Sequence, residues 1–168
     1  DEEIIQKIIG VCKRDPRSGK VTTGGIVTVK DSTENWYLSW TINRQPQFKS
    51  QDKNMVLVWV YSLNTNRPGN YVKKAMRDCT GEEVAQEWLY HIGVSEDKIK
   101  DYAKNRCNTT TCFMPYINAF FQPRKEEDRP LVVPHEAVNF AFVGQFAETP
   151  RDTIFTTEYS IRTGMEAV

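Results

Sequence analysis

The sequence predicts an α+β fold, a mixed β-sheet with helices that ends in a βα piece of Rossmann-like character. Three patterns carry that prediction. Apolar stripes at helical spacing run through Asp1–Arg14 and again between Thr80 and Ala103. Three runs between Gly25 and Leu63 are rich in Val, Ile, Thr and aromatic residues, as strands are. Near the C-terminal end an apolar run, a glycine and a further helical pattern follow one another in the order of a βα unit.

The elements follow in order. In Asp1–Arg14, Ile4, Ile5, Ile8, Ile9 and Cys12 fall on one helical face; acidic residues open the segment, Lys13-Arg14 close it, and Asp15-Pro16 stops it. The runs Gly25–Lys30, Trp36–Asn43 and Met55–Leu63 read as strands bounded by polar turns, and Asn64–Asn70, with Pro68-Gly69, as a loop. Thr80-Gly81-Glu82-Glu83 has the spacing of a capping box, in which hydroxyl and carboxylate satisfy each other's backbone amides. It opens a helix whose apolar side is Val84, Ala85, Trp88, Leu89 and Ile92 and which Gly93 ends. Ser95 is placed to cap a third helix carrying Ile99, Tyr102 and Ala103, and Thr109–Phe121 is β-like with an interruption at Pro115. Pro123–Pro134 is a charged connector. Val138–Val143 (VNFAFV) is apolar at nearly every position, as a strand covered on both faces would be, with a last helix from about Thr156. The sequence gives that last strand little to cover it, so the chain is expected to be a piece of a larger enzyme.

Composition narrows the function. The 168 residues are 39% apolar and 26% charged, a profile with enough apolar side chain for a real core. The 22 basic and 22 acidic side chains cancel, which argues against nucleic acid, whose phosphates demand a basic surplus. The sequence has no signal-peptide pattern or bilayer-length apolar run, and a cytoplasmic location is expected. Cys12, Cys79, Cys107 and Cys112 form no CxxC pair and are expected as free thiols.

Most catalytic signatures are missing, with no GxGxxG, P-loop, GxSxG or HExxH. His91, within a helix, and His135, between Pro134 and Glu136, are too isolated from the cysteines to form a zinc site and read as ordinary helix and loop residues. Two segments gather polar groups where a binding site would need them. Thr41-Ile42-Asn43-Arg44-Gln45-Pro46-Gln47 lies at a strand end, where hydroxyl, amide and guanidinium groups can fix a carboxylate; on composition alone it is also a polar strand end with a proline turn. Gly144-Gln145-Phe146-Ala147-Glu148, followed by Thr156 at a helix start, occupies the position at which open α/β sheets bind ligands; a plain βα connection would look the same.

Four longer segments are more specific: LSWTINRQPQFK (Leu38–Lys49), CTGEEVAQEWLYHIGV (Cys79–Val94), MPYINAFFQPR (Met114–Arg124) and VNFAFVGQFAETPRDTIFTTEYSIRTGMEAV from Val138 onward. Together they resemble the oleate hydratase family of FAD-containing fatty acid hydratases, also called myosin-cross-reactive antigens. The similarity runs through essentially the whole chain, in order.

The resemblance implies that residues 1–122 belong mainly to a fatty-acid-binding domain. Residues 123–168 would then be a connector and a returning βα segment of the FAD domain. It implies addition of water across the cis-9 double bond of oleate to give 10-hydroxystearate, a hydro-lyase reaction in which FAD supports the site without net redox change. The tyrosine and glutamate given the acid–base work in that family lie in a preceding region, so no residue here inherits a catalytic role and the segment alone is expected to be inactive. What carries over is binding: Thr41, Asn43 and Gln47 for the substrate carboxylate, and Gly144, Gln145, Phe146, Ala147, Glu148 and Thr156 for the flavin. Some members have histidine where this chain has Gln47, which can donate an amide hydrogen bond but carries no charge. The expected partners are an unsaturated fatty acid such as oleate and the rest of the parent chain, with room for a homodimer and for transient membrane contact during substrate uptake. Two other readings stay open, a flavin-dependent oxidoreductase of similar fold and a non-enzymatic lipid-binding module.

Overall fold

The computed structural model describes residues 1–18, 26–30, 34–113, 125–152 and 157–168. The chain divides into two compact units, Asp1–Phe113 and Met114–Val168.

In the first unit, helix α1 spans Glu2–Cys12. Asp1 caps it by accepting from the Glu3 amide at 2.9 Å. It ends earlier than the sequence pattern predicts, because Lys13 turns left-handed with φ 58° and its ammonium closes on the Gly10 carbonyl. The sheet follows as β1 (Val27–Thr28), β2 (Leu38–Thr41) and β3 (Trp59–Ser62), in spatial order β1-β2-β3 and antiparallel throughout. The expectation of a mixed sheet is therefore corrected. Consecutive strands joined without a crossover helix can only pair antiparallel.

The register decides which side chains share a face. Val27 lies opposite Trp40 and Thr28 opposite Ser39, while Thr41 lies opposite Trp59 and Ser39 opposite Tyr61. Trp36, Leu38, Trp40 and Ile42 alternate into the interior and are all buried. There they join Ile5 and Ile8 of α1, Val84, Ala85, Trp88 and Leu89 of α2 (Gly81–His91), and Ile99 and Ala103 of α3 (Glu96–Arg106) in one core. Trp88 meets Trp40 edge-to-face, 5.8 Å between centroids. Helix α2 begins in the expected capping box, with the Glu83 amide on Thr80 Oγ1 at 3.3 Å and the Thr80 amide on Glu83 Oε2 at 2.7 Å. Gly93, at φ +84°, lets the chain leave it. Ser95 stands at the N-cap of α3, but its side chain makes no capping bond. Helices α1 and α3 are laced by Tyr102 and Lys98 on Glu3 and by Arg106 on Asp1.

The second unit contains a 3₁₀ turn at Glu126–Asp128 and helix α4, Thr157–Glu166. Here a second expectation is overturned. Val138–Val143 forms no strand, and Val138, Phe140, Phe142 and Val143 are exposed. A strand needs a neighbour to take its amides and carbonyls. Among the described residues the run shares only the Phe142 amide with the Val132 carbonyl, at 2.8 Å. Among the described residues of this unit the β-like contact is instead one parallel bridge, Leu131 to Glu148. Among its described residues Val132, Ala147, Thr149, Tyr159 and Thr163 are buried. Of the β-like stretch Thr109–Phe121, residues 109–113 are exposed and irregular and the rest lies outside the described residues, as does the segment Met114–Arg124.

Leu89, fully buried, anchors the core, whereas the Thr80 cap is a local device. Leu89→Ala is expected to cost about 2–5 kcal/mol and Thr80→Ala about 1 kcal/mol, measured by urea unfolding. Equal costs would mean that the described core does not carry the stability of this unit.

Candidate functional site

The polar run at the end of β2 is built around a residue that composition does not single out. Thr41 closes the strand half-buried, and Asn43, Arg44 and Gln47 are exposed. Gln45, between them, is buried. Its amide nitrogen donates to the carbonyls of Asn43 (2.9 Å) and Leu57 (3.4 Å), while its oxygen accepts from the Leu57 amide (3.1 Å) and from Gln51 Nε2 (2.6 Å). A side-chain amide thus takes up both backbone groups of Leu57, as a paired strand residue would, after β2 has left the ladder. Gln51 extends the lacing by donating to the Met55 carbonyl at 2.9 Å and accepting from the Gln47 amide at 2.8 Å. Arg14 donates to the Ile42 carbonyl at 3.0 Å, and the Gln45 amide to the Pro16 carbonyl at 3.0 Å. Gln45 and Gln51 therefore hold the loop, and Asn43 and Gln47 are presented on its surface. The signal in the sequence is three glutamines at 45, 47 and 51 around a proline, but nothing in it says which one turns inward.

The second candidate segment is a tight turn engaged with its own unit. Gly144, at φ +101°, gives its amide to Thr163 Oγ1 at 2.8 Å; the Ala147 amide goes to the Gly144 carbonyl and the Glu148 amide to the Pro130 carbonyl. The Ala147 carbonyl accepts from Tyr159 Oη at 2.6 Å, and the Gln145 carbonyl from Arg129 at 2.6 Å. Phe146 is half-exposed under the Arg129 guanidinium. With the amides of Gly144, Ala147 and Glu148 already satisfied, the turn is not a phosphate cradle, which needs several amides aimed outward. It can offer a flavin a contact surface, not its anchoring site. Thr156 lies outside the described residues. The two candidate segments fall in different units.

A third cluster escapes the sequence reading. Glu87 sits on the apolar stripe of α2, between Val84 and Trp88, and is only 1% exposed. Its carboxylate accepts from three successive backbone amides, Asn70 (2.6 Å), Tyr71 (2.9 Å) and Val72 (2.7 Å), and from His91 Nε2 at 3.0 Å. An ionised carboxylate only accepts, so His91 Nε2 carries the proton of that bond. Burial alone would raise the Glu87 pKa, but His91 and the amides of Val72, Asn70 and Tyr71 outweigh it and hold the group below its ordinary value. The available signal was the i, i+4 pair Glu87–His91 with a charge on the core face. His135 is an exposed turn residue. All four cysteines are free, and burial pushes the Cys79 and Cys107 thiols up, away from thiolate chemistry. Among the described residues no cluster suited to a metal ion is present, and no helix is long and apolar enough to cross a membrane.

Comparison with known proteins decides the relationship. The model of the MCRA family matches residues 1–168. The chain belongs to the MCRA family. It is 57% identical over 157 residues to an oleate hydratase of Streptococcus pyogenes serotype M49 (strain NZ131), covering 92% of this chain and 26% of that protein. It is 36% identical over 134 residues to a linoleate hydratase of Lactiplantibacillus plantarum, covering 76% of this chain and 24% of that protein. The MCRA chain described here thus spans about a quarter of the length of the curated relatives it matches.

Two predictions follow from the geometry. Glu87→Ala leaves the amides of residues 70–72 without their acceptor and should destabilise the unit by about 3–5 kcal/mol. Because the folded pKa of Glu87 is depressed, its stabilisation is present above the unfolded carboxylate pKa and is lost as pH falls through the folded value. The gap in urea stability between wild type and Glu87→Gln should therefore narrow from about pH 7 toward about pH 3. A gap that is constant across that range refutes the role of the ionised carboxylate.

Proposed function

We propose that this chain is the substrate-facing part of a fatty acid hydratase that adds water to the cis-9 double bond of oleate to give 10-hydroxystearate. The observation that carries the reading is 57% identity to an oleate hydratase over 92% of the chain. A second relative, named for linoleate hydration, points to the same chemistry on a related unsaturated acid. In this reading Thr41, Asn43 and Gln47 bind the carboxylate, on a loop whose shape Gln45 and Gln51 fix. A head-group site needs neutral donors held rigidly at a surface that the alkyl chain can reach, and the loop after β2 supplies them.

The acid and base of the reaction belong to parts of the full-length protein outside this chain, so these residues bind and orient substrate without exchanging its protons. FAD is the cofactor in the same reading. The remainder of the protein supplies its phosphate cradle, and Gly144–Glu148 and Thr156 contribute contact. The second unit is then a returning segment of a Rossmann-like FAD domain, and the enzyme is a cytoplasmic homodimer that touches membranes transiently to collect its insoluble substrate.

The decisive experiment supplies oleate to the full-length protein in oxygen-18 water. Heavy label in a new hydroxyl, without bleaching of the flavin, is the expected result; a bleached flavin without hydroxylated product refutes hydration. In that protein Asn43→Ala should lose about 1.5–3 kcal/mol of substrate stabilisation, read as a fall in kcat/KM with thermal stability and flavin content unchanged. Gln47→His should remain active, because histidine, like glutamine, can donate a hydrogen bond to the carboxylate. The 168-residue chain by itself should neither retain FAD through desalting nor hydrate oleate, since the cradle and the acid–base pair are both outside it.

A further inference from the structure

The chain has four tryptophans, and three of them, Trp36, Trp40 and Trp88, are buried. Trp59 is 67% exposed. An indole left in water on an ordered strand forfeits a large hydrophobic gain, so its surroundings are informative. Trp59 is the direct cross-strand partner of Thr41, and directly opposed residues of an antiparallel pair project from the same face of the sheet. Tyr61, two residues on, shares that face and lies 6.1 Å from Trp59 between ring centroids. The opposite face is the one that Trp40 and Leu38 turn into the core. Trp59 therefore stands on the outer face, beside the first residue of the head-group run. The glutamine lacing brings the loop bearing Asn43 and Gln47 against Met55 and Leu57, a few residues before Trp59. Exposed Phe48 and Met55 belong to these same two laced segments. Polar groups suited to a carboxylate are thus bordered by an aromatic surface suited to methylenes.

We propose that Trp59, supported by Tyr61, is a specificity-determining residue of the full-length hydratase, the platform on which the first methylenes of the acyl chain lie while the carboxylate is held at Thr41 and Asn43. The proposal rests on the hydratase reading above. A carboxylate contact recognises any small acid, whereas an indole beside it adds binding only for acids with an alkyl chain, and so selects lipid over short polar acids.

Steady-state kinetics of the full-length enzyme on oleate test this with Trp59→Ala, Trp59→Phe and Asn43→Ala side by side. Trp59→Ala should raise KM about tenfold, the factor for about two methylenes losing their apolar cover, with melting temperature retained. Trp59→Phe should stay within about twofold of wild type, because a smaller ring keeps the platform. Unchanged KM in Trp59→Ala beside an impaired Asn43→Ala overturns the platform and leaves the hydratase reading intact. Unchanged kinetics in both overturns the head-group assignment with it. A Trp59 effect without an Asn43 effect overturns the proposal too, because the chain then lies away from the head-group loop. Should Trp59→Ala fail to fold, tryptophan fluorescence decides. A 2-bromo fatty acid carries its heavy atom beside the carboxylate and should quench wild type strongly and Trp59→Phe far less; equal quenching in the two overturns the proposal.

Discussion

The first unit depends on a three-stranded sheet whose apolar face is closed over by helices. The side chains of Trp36, Leu38, Trp40 and Ile42 point one way along β2 and its flanks, and three helices close over them. That single constraint fixes the rest. Ile5 and Ile8 place α1, Trp88 and Leu89 place α2, and α3 follows through Ile99 and Ala103. The alternation that sends Trp40 inward sends Thr41 and Trp59 outward, so core packing on one side determines which groups a ligand can meet on the other.

The unit holds the loops between its elements with polar side chains acting as backbone. Gln45 pairs with Leu57 as a strand residue would, and Glu87 receives the amides of residues 70–72 as a carbonyl ladder would. Both are buried, and a buried polar group left unmatched costs more than a matched one contributes. Each loop therefore has one arrangement that satisfies the group inside it. This matters for binding, since a donor on a loop can orient a carboxylate only when the loop itself has a single shape. Gly69 shows how closely the Glu87 turn is fitted: a Cβ there would lie 2.6 Å from Glu87 Oε2 and 2.7 Å from the Val72 carbonyl.

What the sequence showed was whatever is encoded locally. The capping box of α2, the β-like composition of Trp36–Asn43 and the helix end at Gly93 all act within a few residues, and the structure has the box, a strand at Leu38–Thr41 and a left-handed Gly93. Gln45 and Glu87, which organise the loops, were illegible because the backbone groups they pair with lie 12 to 17 residues away. A glutamine at position 45 looks no different from those at 47 and 51 until Leu57 is beside it. The same limit explains the early end of α1. Lys13 continues the helical composition, but its left-handed turn brings the following residues to the loop after β2, where Arg14 reaches the Ile42 carbonyl. The polar run Thr41–Gln47 was visible as chemistry, through its hydroxyl and amides, but not as architecture.

Val138–Val143 marks the opposite case, a local signal that the chain does not fulfil. Its composition is that of an interior strand, yet Val138 is 95% exposed. Apolar side chains in water and unpaired strand groups are both unfavourable, so such a run is stable only where neighbours take its amides and cover its faces. The turn that follows is by contrast complete: Gly144, Ala147 and Glu148 give their amides to partners within the unit, and Tyr159 and Arg129 fix its carbonyls. A finished turn beside an unfinished strand is what a sheet with its neighbours removed would leave, because turns close on nearby residues and strands pair with distant ones. On the hydratase reading proposed above, those distant partners lie in the rest of the full-length protein. The flavin contact proposed for the turn then becomes a matter of position. With its own amides satisfied, the turn gains access to a cofactor only when the neighbouring strands align Val138–Val143 and set Gly144 at the end of a paired strand, the edge at which α/β sheets receive their ligands.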